Sequence, residues 1–197
     1  MIKEVLINTL YNIWPMVFIF SVIISSVRIA FILSKKIKFV LYKEVLGLIF
    51  IIYVLILFHI VTFQDVNYGD LNYIPFAEMF RHPIGSALFV KNFIGNLLLF
   101  VPFGIFLSIY LKPKRIYVIF FIASISSLAI EYTQLRIGRT FDVDDILLNV
   151  TGAIIGYLIY IGLSAISKRF PKIIRSEGFL NLLVLIMIIL IGIYFIS

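Results

Sequence analysis

The sequence predicts an all-α integral membrane protein of about six transmembrane helices, with a polar helix-loop-helix hairpin between the fourth and fifth facing the exterior. Three observations lead there. Of the 197 residues, 62% are hydrophobic and 14% charged, whereas a soluble domain carries about 25% charged residues. The mean hydropathy is +1.13, and burying that much apolar surface in water would take a far larger globule. The apolar residues fall in long runs, and most of the charged ones sit in the short stretches between them.

Six runs approach the roughly 20 residues that a bilayer needs: 9–33, 43–62, 92–111, 116–135, 145–166 and 178–196. The first holds Pro15 and Arg28, which is about two turns from a basic loop and is expected to snorkel toward it. This run is too long for a cleaved signal peptide and shows no small-x-small cleavage site. The basic residues Lys35, Lys36, Lys38 and Lys43 follow it; Lys112, Lys114 and Arg115 lie between runs three and four; Lys168, Arg169, Lys172 and Arg175 lie between runs five and six. The other two loops carry most of the acid, with Asp65, Asp70 and Glu78 in one and Asp142, Asp144 and Asp145 in the other. The positive-inside bias therefore places loops one, three and five in the cytoplasm and both termini outside. The net charge of +7 is explained by topology, so no nucleic-acid partner is expected. The loop at about 63–91 is the longest and can fold back as a re-entrant or interfacial segment.

The chemistry concentrates around the fourth loop. Glu131, Arg136, Arg139, Asp142, Asp144 and Asp145 all fall within one short stretch. On the fourth run Ser124, Ser127, Glu131 and Gln134 share one helical face, and on the fifth Asp145, Asn149, Gly152 and Gly156 share another. A short loop makes these two helices antiparallel neighbours, so the two faces can oppose each other. Asn92 and Asn96 offer a third polar face, and Pro102 and Gly104 are placed to kink the helix that carries it. Gly152 and Gly156 form a small-xxx-small pair that admits a second backbone. Structural roles compete with functional ones: Asp142 suits a helix N-cap, Asp145 the positive helix end, Arg139 an ion pair with an aspartate, and Asn96 and Asn149 interhelical hydrogen bonds. Glu131 stands apart, because an ionisable group inside a span is costly and points to function.

The chain has no cysteine, and His59 and His82 lack metal spacing. Glu131, Asp142, Asp144 and Asp145 carry oxygens suited to a hard cation, but without the spacing of a cation-binding loop. There is no Gly-rich phosphate loop, nucleophile elbow or zinc-helix motif, so neither a metal nor another cofactor is expected.

One pattern is long and specific: Glu131-x-x-Gln134, then Arg139-x-Phe141-Asp142-x-x-Asp145-x-x-x-Asn149-x-x-Gly152-x-x-x-Gly156. With Asn72-Tyr-Ile-Pro75-Phe76 and Asn96-Leu-Leu-Leu-Phe100-Val-Pro102-Phe-Gly104 upstream, the sequence resembles the VanZ-like family of small bacterial membrane proteins. The resemblance covers roughly 45–165; Arg136, Ile137 and Gly138 lack the proline found there in many members. It divides the chain into an N-terminal span with its basic loop (1–44), a VanZ-like membrane domain (45–166), and a basic loop with the last span (167–197). It implies a multi-pass protein of the bacterial cell membrane with a role in resistance to glycopeptide antibiotics of the lipid-bearing, teicoplanin type.

Three classes of function follow. A non-enzymatic protein would lower drug action at the outer leaflet, with membrane lipid, a lipoglycopeptide or a lipid-linked cell-wall precursor as partner. An intramembrane enzyme on a lipid-linked or anionic envelope substrate would use Glu131 as acid or base with Asp142 and Asp145. Gln134, Arg139, Asn96 and Asn149 would then bind substrate. Six short helices, no visible inverted repeat and no coupling-ion series argue against a transporter or flippase, though a homodimer could supply a pathway.

Overall fold

The computed structural model describes residues 2–63, 71–79, 81, 83–86 and 89–196; Asp65, Asp70 and His82 lie outside them. Each apolar run becomes a helix, because in a lipid environment a backbone must satisfy its own hydrogen bonds. The helices are α1 (Ile2–Lys35), α2 (Leu41–Phe63), α3 (Gly95–Leu111), α4 (Ile116–Arg136), α5 (Val143–Ser167) and α6 (Glu177–Ile196). A π-helical turn, Val90–Ile94, leads into α3. Helices α1, α2, α4 and α5, and α3 together with the π turn before it (Asn92–Leu111), contain stretches long and apolar enough to cross a membrane; in α6 the described apolar stretch, Glu177–Ile191, is shorter than a full span. Pro15 and Pro102 are both accommodated inside helices, α1 and α3 respectively.

Contacts divide the chain into two units, Met1–Ile56 with Ala165–Ser197, and Leu57–Ser164. In the first unit, Arg28 meets Glu44 of α2 through two hydrogen bonds of 2.8 and 3.1 Å. Glu44 lies in the first turn of α2, beside Lys43 of the basic loop, so Arg28 reaches toward that loop and finds a counter-charge there. Lys38 and Lys43 both donate to Glu177, at 2.6 and 3.0 Å, and the Asn181 side chain accepts the backbone N–H of Tyr42 at 3.0 Å, in the first turn of α2.

The second unit carries the hairpin. Helix α5 is its most buried helix, with Leu148, Asn149, Val150, Gly152, Ala153, Gly156 and Tyr157 enclosed. Its glycine pair packs against α3. A Cβ added at Gly156 would overlap the Val101 carbonyl and lie 2.9 Å from the Ile105 nitrogen, and one at Gly152 would overlap the Leu97 carbonyl. From the other side, a Cβ at Gly104 would overlap the Ala153 carbonyl. The two backbones touch because three glycines leave no side chain between them.

On α4 the buried stripe is Ile119, Ala123, Ser127, Glu131 and Gln134. Ser124 was expected on this face, but it is partly exposed and donates to the Phe120 carbonyl of its own helix at 2.8 Å. At i−3 from Ser127 it falls at the margin of the stripe, whereas Ala123, at i−4, falls inside. The α4–α5 seam holds a buried pair in which the Asn149 side-chain amide donates to the Ser127 hydroxyl at 3.0 Å.

The glycine contacts make a sharp prediction. Gly156→Ala forces the α3 and α5 backbones apart and should cost about 1–3 kcal/mol, read as lowered thermal stability of the purified protein in detergent. Gly162→Ala is the matched control, since nothing lies within 4 Å of its added Cβ, and should be neutral or raise stability by up to about 1 kcal/mol.

Candidate functional site

The site is built at the end of α4. Gly138, at φ 86°, follows the helix and takes the left-handed position; the backbone N–H of Arg139 donates to the Gln134 carbonyl at 2.9 Å and that of Gly138 to the Leu135 carbonyl at 3.3 Å. This double closure is the glycine-based helix stop in which two orphan carbonyls are satisfied at once. It turns the chain within a few residues so that Asp142 can start α5. The Asp142 carboxylate accepts the Asp144 N–H at 2.8 Å, an N-cap bond.

Glu131 joins the two helices. Its Oε2 accepts the backbone N–H of Asp142 at 3.0 Å, and only 1% of the residue is exposed. The Gln134 amide satisfies both its neighbours when its nitrogen donates to Glu131 Oε1 at 2.8 Å and its oxygen accepts from Arg139 at 3.1 Å. Arg139 also donates to the Val61 carbonyl at 2.8 Å, near the end of α2. Among the described residues its hydrogen bonds go to a carbonyl and an amide, and no ion pair with Asp142, Asp144 or Asp145 is formed; a guanidinium with five donors suits such a multi-point role. Glu131 and Asp145 remain within electrostatic range of it.

Asn96, the second residue of α3, donates its side-chain amide to Asp145 near the start of α5. The starts of α3 and α5, the end of α4 and the end of α2 therefore meet at one end of this unit. Of the residues expected to carry chemistry, Asn96, Glu131, Gln134, Arg139, Asp142 and Asp145 converge here. Asn149 does not: it sits a turn deeper, on Ser127. Asn92 is exposed on the turn preceding α3.

The long loop joins the same end. Asn72 and Asp142 form a parallel β-bridge, with Asn72 N–H donating to the Phe141 carbonyl at 2.9 Å and Val143 N–H to the Asn72 carbonyl at 3.1 Å. The Asn72 side chain donates to Asp142 at 2.7 Å. Asp144 does more: one carboxylate oxygen accepts the Phe76 N–H at 2.5 Å, and the other accepts those of Glu78 and Met79, each at 2.9 Å. At 1% exposure it is a buried anion held by three backbone donors. Sequence reasoning gave Asp144 no role beyond a possible cation ligand. Its only signal was an acid in the first turn of an apolar helix, which reads equally as a response to the helix dipole. Among the described residues, no group of three or more His, Cys, Asp or Glu is arranged to hold a metal ion.

Asp142 lies outside the spans, and its carboxyl is pushed up from the ordinary 3.8. Burial is the main cause; the hydrogen bonds from Asp144 N–H and Asn72 pull it back, and the charges of Asp144 and Glu78 push it up again. A folded carboxyl that binds its proton more tightly than the unfolded one lends stability that is complete below the unfolded value and fades as pH rises through the folded one. Asp142→Asn keeps an N-capping oxygen and should flatten this part of the stability profile just above the ordinary aspartate range, read by thermal unfolding across pH.

Asp144→Asn replaces an anion that accepts three N–H bonds with an amide that presents donors to some of them. The loss should be about 1.5–3 kcal/mol, with hydrogen-exchange protection falling at Phe76, Glu78 and Met79 while the interior of α5 stays protected.

Neither a search of curated proteins nor one of solved structures finds a match. The VanZ/LLP1 family model, however, matches residues 45–168, a stretch that takes in all of α3, α4 and α5 and the whole polar cluster. With well over half of its length matched and its apolar helices in place, the chain belongs to the VanZ/LLP1 family.

Proposed function

We propose that this VanZ-like membrane protein lowers the susceptibility of a bacterial cell to glycopeptide antibiotics of the teicoplanin, lipid-bearing type, acting at the outer leaflet of the cell membrane. The observation that carries the reading is the convergence of Asn96, Glu131, Gln134, Arg139, Asp142 and Asp145 at one end of helices whose outward residues, such as Leu98, Phe121, Ile125 and Leu158, are apolar and exposed. Such a place suits an amphiphile. A peptide or anionic headgroup meets carboxylates, amides and a guanidinium, while an acyl chain lies along the helix faces. A lipoglycopeptide and a lipid-linked cell-wall precursor both have this chemistry. The alternation of basic and acidic loops favours an outward position for the cluster.

A second reading has one observation behind it. Glu131 is an ionisable side chain almost wholly buried in a span, next to a guanidinium-linked amide, and that setting suits an acid or base acting on an envelope substrate with Asp142 and Asp145. Yet both Glu131 oxygens already accept hydrogen bonds from the protein. This favours a role in holding the hairpin over one in proton transfer.

A susceptibility panel tests both. Deletion should lower the teicoplanin concentration that inhibits growth several-fold, with little change for vancomycin and an unchanged pool of cell-wall precursors. Arg139→Ala should reproduce the deletion at normal membrane abundance. An altered precursor pool on deletion, matched by Glu131→Gln, would move the assignment to the enzyme; equal sensitivity of deletion and wild type would remove the resistance role.

A further inference from the structure

The loop segment 71–77 is inverted relative to the surface of a soluble protein. Its sequence, Leu-Asn-Tyr-Ile-Pro-Phe-Ala, has no charged side chain. Tyr73 is 63% exposed, Ile74 70% and Phe76 60%. By contrast, its Asn72, Ile74, Phe76 and Ala77 N–H groups and the Asn72 side chain are hydrogen-bonded within the protein. The Asn72 N–H and C=O are both in the bridge to the start of α5, and its side chain donates to Asp142. The Asn72 side-chain oxygen accepts the Ile74 N–H at 3.0 Å. Ala77 N–H donates to the Ile74 carbonyl at 3.3 Å, and the Phe76, Glu78 and Met79 N–H groups all go to Asp144. Pro75 has no N–H to satisfy.

Lipid tolerates non-helical backbone where its polar groups are bound within the protein, and these N–H groups of the segment meet that demand. Water imposes no such condition. The Phe76 conformation points the same way. Its φ of 69° puts a bulky aromatic in the left-handed region, which costs free energy and is kept only where the surroundings enforce it. Here the wrap of N–H groups around Asp144 enforces it, and the ring is left facing outward. Tyr73 is braced against Phe141, with ring centroids 5.5 Å apart. Because Asp142 and Asp144 are at the start of a membrane-crossing helix, the loop is fixed at the depth where a span emerges from the hydrocarbon.

We infer that segment 71–77 is a membrane-interface anchor, with Ile74 and Phe76 inserted among the lipid acyl chains beside α5 and Tyr73 at the headgroup level. The occupant of this surface is the bilayer itself, whatever the polar cluster binds. The anchor clamps the rim of the cluster to the lipid surface, which is also where an amphiphile would arrive.

The absence of cysteine allows the test to be made one residue at a time. Ile74→Cys and Phe76→Cys are each labelled with a nitroxide in phosphatidylcholine nanodiscs, and collision with oxygen, which partitions into lipid, is compared with collision with a water-soluble nickel chelate. Gly162→Cys on α5 serves as the lipid reference and Lys114→Cys, in the loop between α3 and α4, as the water reference. The expected result is an oxygen-to-chelate ratio at 74 and 76 roughly threefold or more above that at 114, as insertion by about 5–10 Å implies. A ratio equal to that at 114 puts the loop in water and overturns the inference. Low collision with both reagents means that protein, for example a second copy, covers the segment, and also overturns it. Should Phe76→Cys fail to fold, Ile74→Cys decides alone, since the Ile74 side chain makes no hydrogen bond.

Discussion

A carboxylate withdrawn from water must be given donors, and four carboxylates at one end of a helical membrane protein must each be given their own. This requirement orders the Leu57–Ser164 unit. Glu131 takes the N–H that opens α5 and the amide of Gln134. Asp142 takes the next free N–H of α5 and the Asn72 amide. Asp144 takes three N–H groups of the long loop, and Asp145 takes the amide of Asn96. Most of these donors are backbone groups that would otherwise be orphaned at helix ends or in a loop beside lipid. The anions and the orphan donors thus solve each other's problem, and a single guanidinium, Arg139, links the result to the end of α2.

The glycine contact below this level sets its dimensions. Gly104, Gly152 and Gly156 bring the α3 and α5 backbones together, and that closeness lets a short side chain, Asn96, reach Asp145 across the helix gap. On the other flank, Asn149 and Ser127 tie α5 to α4. Helix α5 is therefore gripped on one side by bare backbone packing and on the other by a polar bond of about 0.6 kcal/mol. The packing supplies the grip, and the polar pair supplies register.

Much of this was legible in the residues. Hydropathy alone located α1 to α6, because length and apolarity are what a bilayer demands. Helical periodicity put Ser127, Glu131 and Gln134 on one buried face, and the N-cap role of Asp142 followed from its residue type. Other features were hidden for identifiable reasons. Periodicity states which residues share a face but not which neighbour that face meets: Gly152 and Gly156 turned out to face α3, while Asn149 faces α4. Ser124 missed the stripe through the small angular difference between i−3 and i−4. Arg139 was open to any acceptor, and its use of a carbonyl at Val61 depends on a contact far away in sequence. Asp144 was the largest omission. Its partners are backbone N–H groups of a loop more than sixty positions earlier, and backbone donors leave no mark on a sequence.

The obstacle to any side chain at Gly104 or Gly156 is main chain: the Ala153 carbonyl in one case, the Val101 carbonyl and Ile105 nitrogen in the other. A clash with a side chain can be repaired by trimming that side chain; a clash with main chain cannot. A genetic screen for second-site revertants of a substitution at either position would thus find few local suppressors. Recovery would come from true reversion to glycine, or from changes in the connecting loops that let a whole helix slide.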